Sequence, residues 1–537
     1  MNTTWDELVS AALLGTERRT PPALPRDGRD ATAALLDAAA LHTVRRRAGL
    51  VPATARARPE PAPADPRPAL PPAARRRLAL LLADRSGSGS GGGRRVGAPD
   101  LTELLPQWLS TANAHGYQAP AELLPALLEA ARARTDLRPA ALALGGPRAR
   151  WLAGLNPQWK YALRAGPATV SGHAAAAGRA GADEARQVWE EGLFAERVAL
   201  LVSVRRRDPA AARELLTSTW QTERAEDRLM FLDSLREGLS PGDEPFLERA
   251  LADRSRNVRS TAAELLAALP RSALARRMAE RARTCVALER TGGAARIVVE
   301  APHECDRGMQ RDGVVATPPS GRGERSWWLG QVVEAAPLAL WRERFGGRGA
   351  EAVVALPVAD GWQPELHAAW CRAAVRQRDA EWSRALLGPA TAPQEGSSWR
   401  DPAKLLSALP PGERAEWVAE FIAAHELSEA FRLLGVCEVP WAEPLGTALV
   451  DALDIARDAG GYPWSFSGVM GLAERCLDPA QADRLEVLTA LSDEPPSASP
   501  GAVAYWAEAF GRLVGTLRLR AVMAAELTGR GRAPLTP

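Results

Sequence analysis

Between Trp189 and Pro270 the chain repeats itself, and the repeat limits the folds open to it. Trp189, Trp220 and Leu251 are spaced by 31 residues, and eight residues after each stands an arginine: Arg197, Arg228 and Arg259. Four and seven residues beyond each arginine lie Leu201, Leu232 and Ala263, then Val204, Leu235 and Leu266. That i, i+4, i+7 spacing draws one stripe along an α-helix. Turn signals separate the stripes, Asp208-Pro209 in one unit and Ser240-Pro241-Gly242 in the next. A proline at the start of a helix loses no hydrogen bond, because the first N–H groups have no partner within the helix. Each unit therefore reads as a helical hairpin. One helix runs from the proline to the Trp or Leu, and the other carries the arginine. A lone hairpin cannot bury its stripe, and a period of roughly 30 to 45 residues with two helices per unit marks stacked repeats. The expected fold class is all-α, an α-solenoid of helical hairpins.

The third unit shows the pattern best, with Asp253-Arg254 in the turn, then Asn257-Val258-Arg259, Ala262-Ala263, Leu265-Leu266 and Leu269-Pro270. Here the sequence resembles HEAT repeats, whose inter-helix turn carries an Asp and whose second helix opens with Val-Arg. The resemblance implies a ladder of charged hydrogen bonds between adjacent units. Arg197, Arg228, Asp253 and Arg259 are accordingly expected to be structural.

Outside the repeats (186–283) the chain divides by composition. Residues 1–50 read as two helices with a Pro-rich turn at Pro21, Pro22 and Pro25, and Asp30 is placed to cap the second. Residues 51–99 read as linkers around one short helix, Arg75 to Asp84. The first linker is Ala/Pro/Arg-rich up to Pro72, and the second is the Gly/Ser-rich run from Ser86 to Gly97. Helices resume over 100–185, broken at Gly145-Gly146-Pro147 and Asn156-Pro157. A strand and loop insertion interrupts them near 292–324, within an irregular stretch spanning 284–325. Its strand candidate is Ala295 to Glu300, β-branched and bounded by Gly292-Gly293 and Pro302. From 326 to 537 further helical hairpins are expected, with Trp370, Trp382, Trp417, Trp441 and Trp506 on helix faces.

The chemistry-bearing residues point to no reaction. Five cysteines are widely spaced with no C-x-x-C pair, so neither a disulfide framework nor a zinc ribbon is expected. His303-Glu304-Cys305-Asp306 is the densest group of metal-ligand types, but neighbours in an extended loop point in alternate directions. The six histidines are isolated, and no G-x-S-x-G elbow occurs. No catalytic, cofactor or metal residue is expected. Lys+Arg 67 against Asp+Glu 65 leaves a net charge of +2, which argues against a dedicated nucleic-acid binder. The runs Arg45 to Arg47, Arg75 to Arg77 and Arg205 to Arg207 are expected to be solvated helix ends. The acidic opening segment lacks a signal-peptide pattern, and no stretch of about 18 uncharged apolar residues occurs, so a cytoplasmic location is expected.

One group stands out as a binding candidate: Arg307, Arg311, Asp312, Arg322 and Arg325, followed by Trp327-Trp328. Arginine beside aromatic rings grips phosphates, stacked bases or acidic segments, and long loops on rigid scaffolds tend to be functional. The alternative is that the two tryptophans begin a core helix.

Several segments together resemble an uncharacterised bacterial family, a domain of unknown function. They are Gly238 to Glu248, Asp253 to Pro270, Glu304-Cys305-Asp306 with Met309 to Gly313, and Gly323-Glu324-Arg325 with Trp327-Trp328. The resemblance covers the chain from about Trp151 onward and brings no catalytic residues with it. In that family the gene lies near genes for a SWIM zinc-finger protein, a MoxR-type AAA+ ATPase and a von Willebrand factor A-domain protein. This implies a non-catalytic scaffold or adaptor with protein partners in a chaperone-like system. The alternative is a nucleic-acid-binding protein of the HEAT-like DNA glycosylase type, with Trp189, Trp220 and the spaced arginines facing a duplex.

Overall fold

The computed structural model describes residues 5–18, 30–49, 59–87, 101–164, 180–291, 294–392, 401–490 and 501–529. The turn at Pro21 to Pro25, the Gly/Ser run from 88 onward and His173 lie outside them. Among the described residues there are 27 α-helices and one two-stranded sheet. No helix among them is long and apolar enough to cross a membrane. The chain forms two compact units, Met1–Ala62 and Pro63–Pro537.

The first unit is a helix pair, Trp5–Leu14 and Ala31–Ala48. Asp30 caps the second helix, its carboxylate accepting the Thr32 N–H at 3.1 Å. Leu8, Ala11 and Leu35 make a small core.

In the second unit the helices Phe194–Arg207, Ala225–Ser234 and Arg256–Ala267 carry the three arginines of the register and pack successively against one another. Trp189, Trp220 and Leu251 are all buried. Arg197 lies 4.6 Å over the Trp189 ring and pairs with Glu223. One unit on, Arg228 lies 5.7 Å over Trp220 and pairs with Asp253 at 2.9 Å. Each of these arginines covers the aromatic ring of its own unit and reaches forward to a carboxylate in the next turn. The third differs. Arg259 has Leu251 in place of a ring and donates to the turn carbonyls of Asp253 and Arg254 at 2.8 and 3.0 Å. Thirty-one residues past Asp253 stands Thr284, inside the helix Ala273–Cys285, so no turn carboxylate follows at the repeat spacing.

Within the second unit, a buried ion pair ties neighbouring repeats together. Arg205 and Asp243 have fully buried side chains. Arg205 forks onto the carboxylate at 2.5 and 2.8 Å and donates to the carbonyls of Glu237 and Gly238 at 2.8 and 3.0 Å. Asp243 also accepts from Arg213 and from the Ser240 N–H, each at 3.0 Å. Burial pushes the Asp243 carboxyl up, but the bonds from Arg205, Ser240 and Arg213 outweigh it and hold it below the ordinary aspartate range. Arg205 is therefore no solvated helix end. It follows Leu201 by four residues, on the same helix stripe, and is carried inward with it.

The sheet is a hairpin of β1 (Val286–Thr291) and β2 (Ala294–Val299), with Val286 opposite Val299 and Leu288 opposite Ile297. Ile297 is buried and donates its N–H to the Pro357 carbonyl at 2.8 Å. The C-terminal half supplies the expected helices, among them Gln363–Gln377, Ala380–Leu387 and Glu443–Asp458. Trp441 is buried just outside the last of these rather than on a helix face.

The Pro-rich stretch before the helix Pro72–Gly87 is not a free tether where it is described. Arg67 donates to the carbonyls of Tyr117, Ala143 and Leu144 at 3.1, 2.6 and 3.1 Å, with Asp65 beside it at 2.7 Å. Gly146 makes room for it. At φ 55° this residue kinks the helix Arg138–Leu155, and a Cβ there would collide with the Arg67 guanidinium. The final helix, Ala502–Leu527, joins two cores. Trp506, Phe510 and Leu517 enter the one built on the repeats, while Met523 and Leu527 enter the one formed by residues 70–162.

Replacing Asp243 by Asn should destabilise the protein by about 3–5 kcal/mol at neutral pH, because it leaves the Arg205 charge buried and uncompensated. Replacing both residues, as in R205M/D243L, should recover much of that loss. Because the folded pKa of Asp243 is depressed, the wild-type advantage over D243N is fully present above the unfolded value of about 3.9 and is lost as pH falls through the folded one. Denaturant titrations between neutral and acidic pH check both expectations.

Candidate partner-binding cleft

The segment from Ala301 to Gly323 contains one short helix, Arg307–Arg311, whose N-cap Asp306 accepts the Met309 N–H at 2.7 Å. Around it the loop is tied down at several points. Asp312 is 2% exposed and pairs with Arg277 and Arg281 at 2.8 and 2.7 Å. Trp327 and Trp328 open the helix Glu324–Ala335, and their indole N–H groups donate to the carbonyls of Val315 and Ala316 at 2.8 and 2.7 Å. The Gln331 amide oxygen accepts the Val315 N–H at 2.8 Å. Arg325 donates to the Ala301 and Pro302 carbonyls at 2.5 and 3.3 Å.

Four of the seven residues expected to bind a partner therefore join the loop to its flanking helices: Asp312 to Ala273–Cys285, and Arg325, Trp327 and Trp328 to Glu324–Ala335. Arg307 and Arg311 are exposed on the short helix and do not line the cleft described next. Only Arg322 stands in that cleft from the main lining, its guanidinium 5.7 Å from the Trp327 ring. His303 sits at the surface, 3.3 Å from Glu300, and no cluster of three or more metal-ligand side chains forms among the described residues. All five cysteines are free thiols, and burial raises the pKa of four of them, Cys437 to about 11.

The cleft has a volume of about 1150 Å³. One wall comes from the ends of two repeat helices, with Arg236, Leu239, Glu264 and Leu265; the other is the helix Gln363–Gln377, with Ala368, Arg372 and Arg376. Arg378 and Lys404 complete the rim. No residue pattern marked it, because its lining is drawn from separate segments between Arg236 and Leu405.

Most of its charges meet one another across elements. Arg236 grips Glu264 with two bonds of 2.9 Å, which holds the Glu264 carboxyl below its ordinary range despite burial. Arg372 and Arg376 converge on the one carboxylate of Glu334. Lys404 lies 3.3 Å from Asp401. A side recess of about 150 Å³, lined by Gly321, Arg322, Glu365 and Arg372, extends the cleft at one end. A second, of about 200 Å³, carries it to Gly313, Val315 and Gln331. Such a surface can hold a charged ligand by pairing, with apolar patches at Leu239, Leu265, Ala368 and Val375 to receive its uncharged parts.

Replacing Trp328 by Phe keeps the ring in the core but removes the donor to Ala316. We expect a loss of about 1–3 kcal/mol and faster proteolytic cutting between 313 and 323, read by thermal unfolding and limited proteolysis.

No curated protein and no solved structure matches the chain. A family model does match, from residue 7 to residue 527, so the likeness begins at the N-terminal helix pair rather than near Trp151. With nearly its whole length matched, the chain belongs to the family of unknown function DUF5691.

Proposed function

We propose that the chain is a non-catalytic adaptor, an α-solenoid of HEAT-like hairpins that holds protein partners along its cleft. The observation that carries this reading is the cleft itself, open, large and walled by cations and carboxylates in nearly equal number. A mosaic of both signs suits a protein surface, where charges alternate, better than a phosphate backbone. The helix neighbours support the solenoid. Gln363–Gln377 packs on Pro402–Ser407, which packs on Leu427–Leu434, each skipping one intervening helix as stacked hairpins do, and Glu324–Ala335 packs on Gln363–Gln377 across two short helices.

The nucleic-acid reading needs Trp189, Trp220 and their arginines facing a duplex. Both rings are buried, and Arg197 and Arg228 are held by Glu223 and Asp253. The adaptor reading also fits the partner classes implied by the family resemblance: a MoxR-type AAA+ ATPase, a von Willebrand factor A-domain protein or a SWIM zinc-finger protein, in the cytoplasm.

Co-expression with each of these three, followed by size-exclusion chromatography, tests the proposal. Co-elution with at least one, with no binding of duplex DNA at moderate salt, is the expected result. Salt-sensitive duplex binding with no protein partner would overturn it.

A further inference from the structure

We propose that the Arg322 to Arg378 side of the cleft is a docking groove for an extended acidic peptide segment of a protein partner. This rests on the adaptor reading and narrows it to one surface and one ligand chemistry.

Pairing within the cleft leaves positive charge over. Glu264 is taken by Arg236, which also pairs with Asp233 outside the cleft lining, and Asp401 by Lys404. Glu237, which also lines the cleft, is paired at 2.6 Å with Arg206, which does not. Glu334 is one carboxylate shared by two guanidiniums, so Arg372 and Arg376 together keep a positive charge unanswered. Arg322 and Arg378 have no carboxylate partner among the described residues. Against these surplus cations stands Glu365 alone, itself without an ion pair among the described residues. The cleft lining that carries Arg322, Arg372, Arg376 and Arg378 is thus positive, although the chain as a whole is nearly neutral.

The Arg322 guanidinium is held in place, and the backbone that carries Arg378 is fixed as a helix end. Arg322 stacks on Trp327, whose indole is fixed by the Val315 carbonyl. Arg378 ends the helix Gln363–Gln377 in the left-handed conformation, φ 51° and ψ 44°. Glycine takes that position at less cost. The chain instead spends it on an arginine at the cleft rim. A guanidinium presents parallel N–H donors that match a carboxylate, and a positioned one loses less freedom on pairing. Duplex nucleic acid fits poorly, because Glu264, Glu334, Glu365 and Asp401 would repel a continuous row of phosphates. A peptide can place carboxylates on the arginines and neutral residues over Leu239, Leu265 and Val375.

Fluorescence anisotropy on the full-length protein, with a labelled Glu/Ala peptide and a matched Lys/Ala peptide, tests the inference. We expect the acidic peptide alone to bind at low salt and to weaken as salt rises. Charge reversal in R322E/R378E should weaken it about tenfold or more. Glu365→Gln, which removes the one unpaired acid, should tighten it. All three are surface changes, and circular dichroism confirms that the variants fold. The inference is overturned if the peptides bind alike or not at all, if neither variant shifts affinity, or if duplex DNA of equal charge displaces the acidic peptide. If a protein partner identified by co-elution binds R322E/R378E as well as wild type, this inference falls and the adaptor reading stands. If no partner co-elutes and duplex DNA binds in a salt-sensitive way, both fall.

Discussion

A guanidinium removed from water is tolerated only where its N–H groups find acceptors and its charge finds a counterion. Arg205 meets that condition by gathering the Asp243 carboxylate and the carbonyls of Leu235, Glu237, Gly238 and Pro209. These carbonyls belong to the turn between two repeat units and to the start of the helix Pro209–Thr219. The same contacts therefore fix how one hairpin sits on the next. The pairs Arg197 with Glu223 and Arg228 with Asp253, themselves largely buried, repeat the logic a little closer to solvent, each arginine lying over a ring and reaching into the following turn. With these turns held, the helix ends bearing Arg236 and Glu264 are held as well, and they form one wall of the cleft.

The loop after the sheet depends on the same principle of satisfied polar groups. A long irregular segment beside a helical core carries many backbone N–H and C=O groups, which need partners where water is excluded. Trp327, Trp328, Gln331 and Arg325 supply them for Ala301, Pro302, Val315 and Ala316. The tryptophans serve as both core aromatics and hydrogen-bond donors. With these ties made, Gly321 to Gly323 projects to the cleft, and Arg322 becomes part of it.

Residue patterns read well wherever the physics is local. The helix Ala380–Leu387 was legible to the residue because Asp379 caps it and Gly388 follows it. The strand at Ala294–Val299 showed in its β-branched run, whereas its partner Val286–Thr291 did not. Val-Ala-Leu-Glu-Arg-Thr continues the helical composition of Ala273–Cys285 and becomes a strand only by pairing. Arg205 was missed because an Arg-Arg-Arg run at a helix end resembles a solvated cap. Its spacing of four from Leu201 was the available signal. The site was hardly legible at all, and of the seven residues singled out there, only Arg322 lines the main cleft.

By itself the sequence determined that this chain is helical, that its middle repeats every 31 residues and that arginines recur in register with Trp189, Trp220 and Leu251, because period, capping and turn chemistry act over a few residues. Tertiary structure alone decided what the repeated arginines hold, which loop residues join the loop to its flanking helices, and where a cleft opens. Those outcomes depend on which carboxylate or carbonyl comes within about 3 Å of each donor, and residues such as Arg236 and Arg378 share a surface only once the intervening helices have stacked.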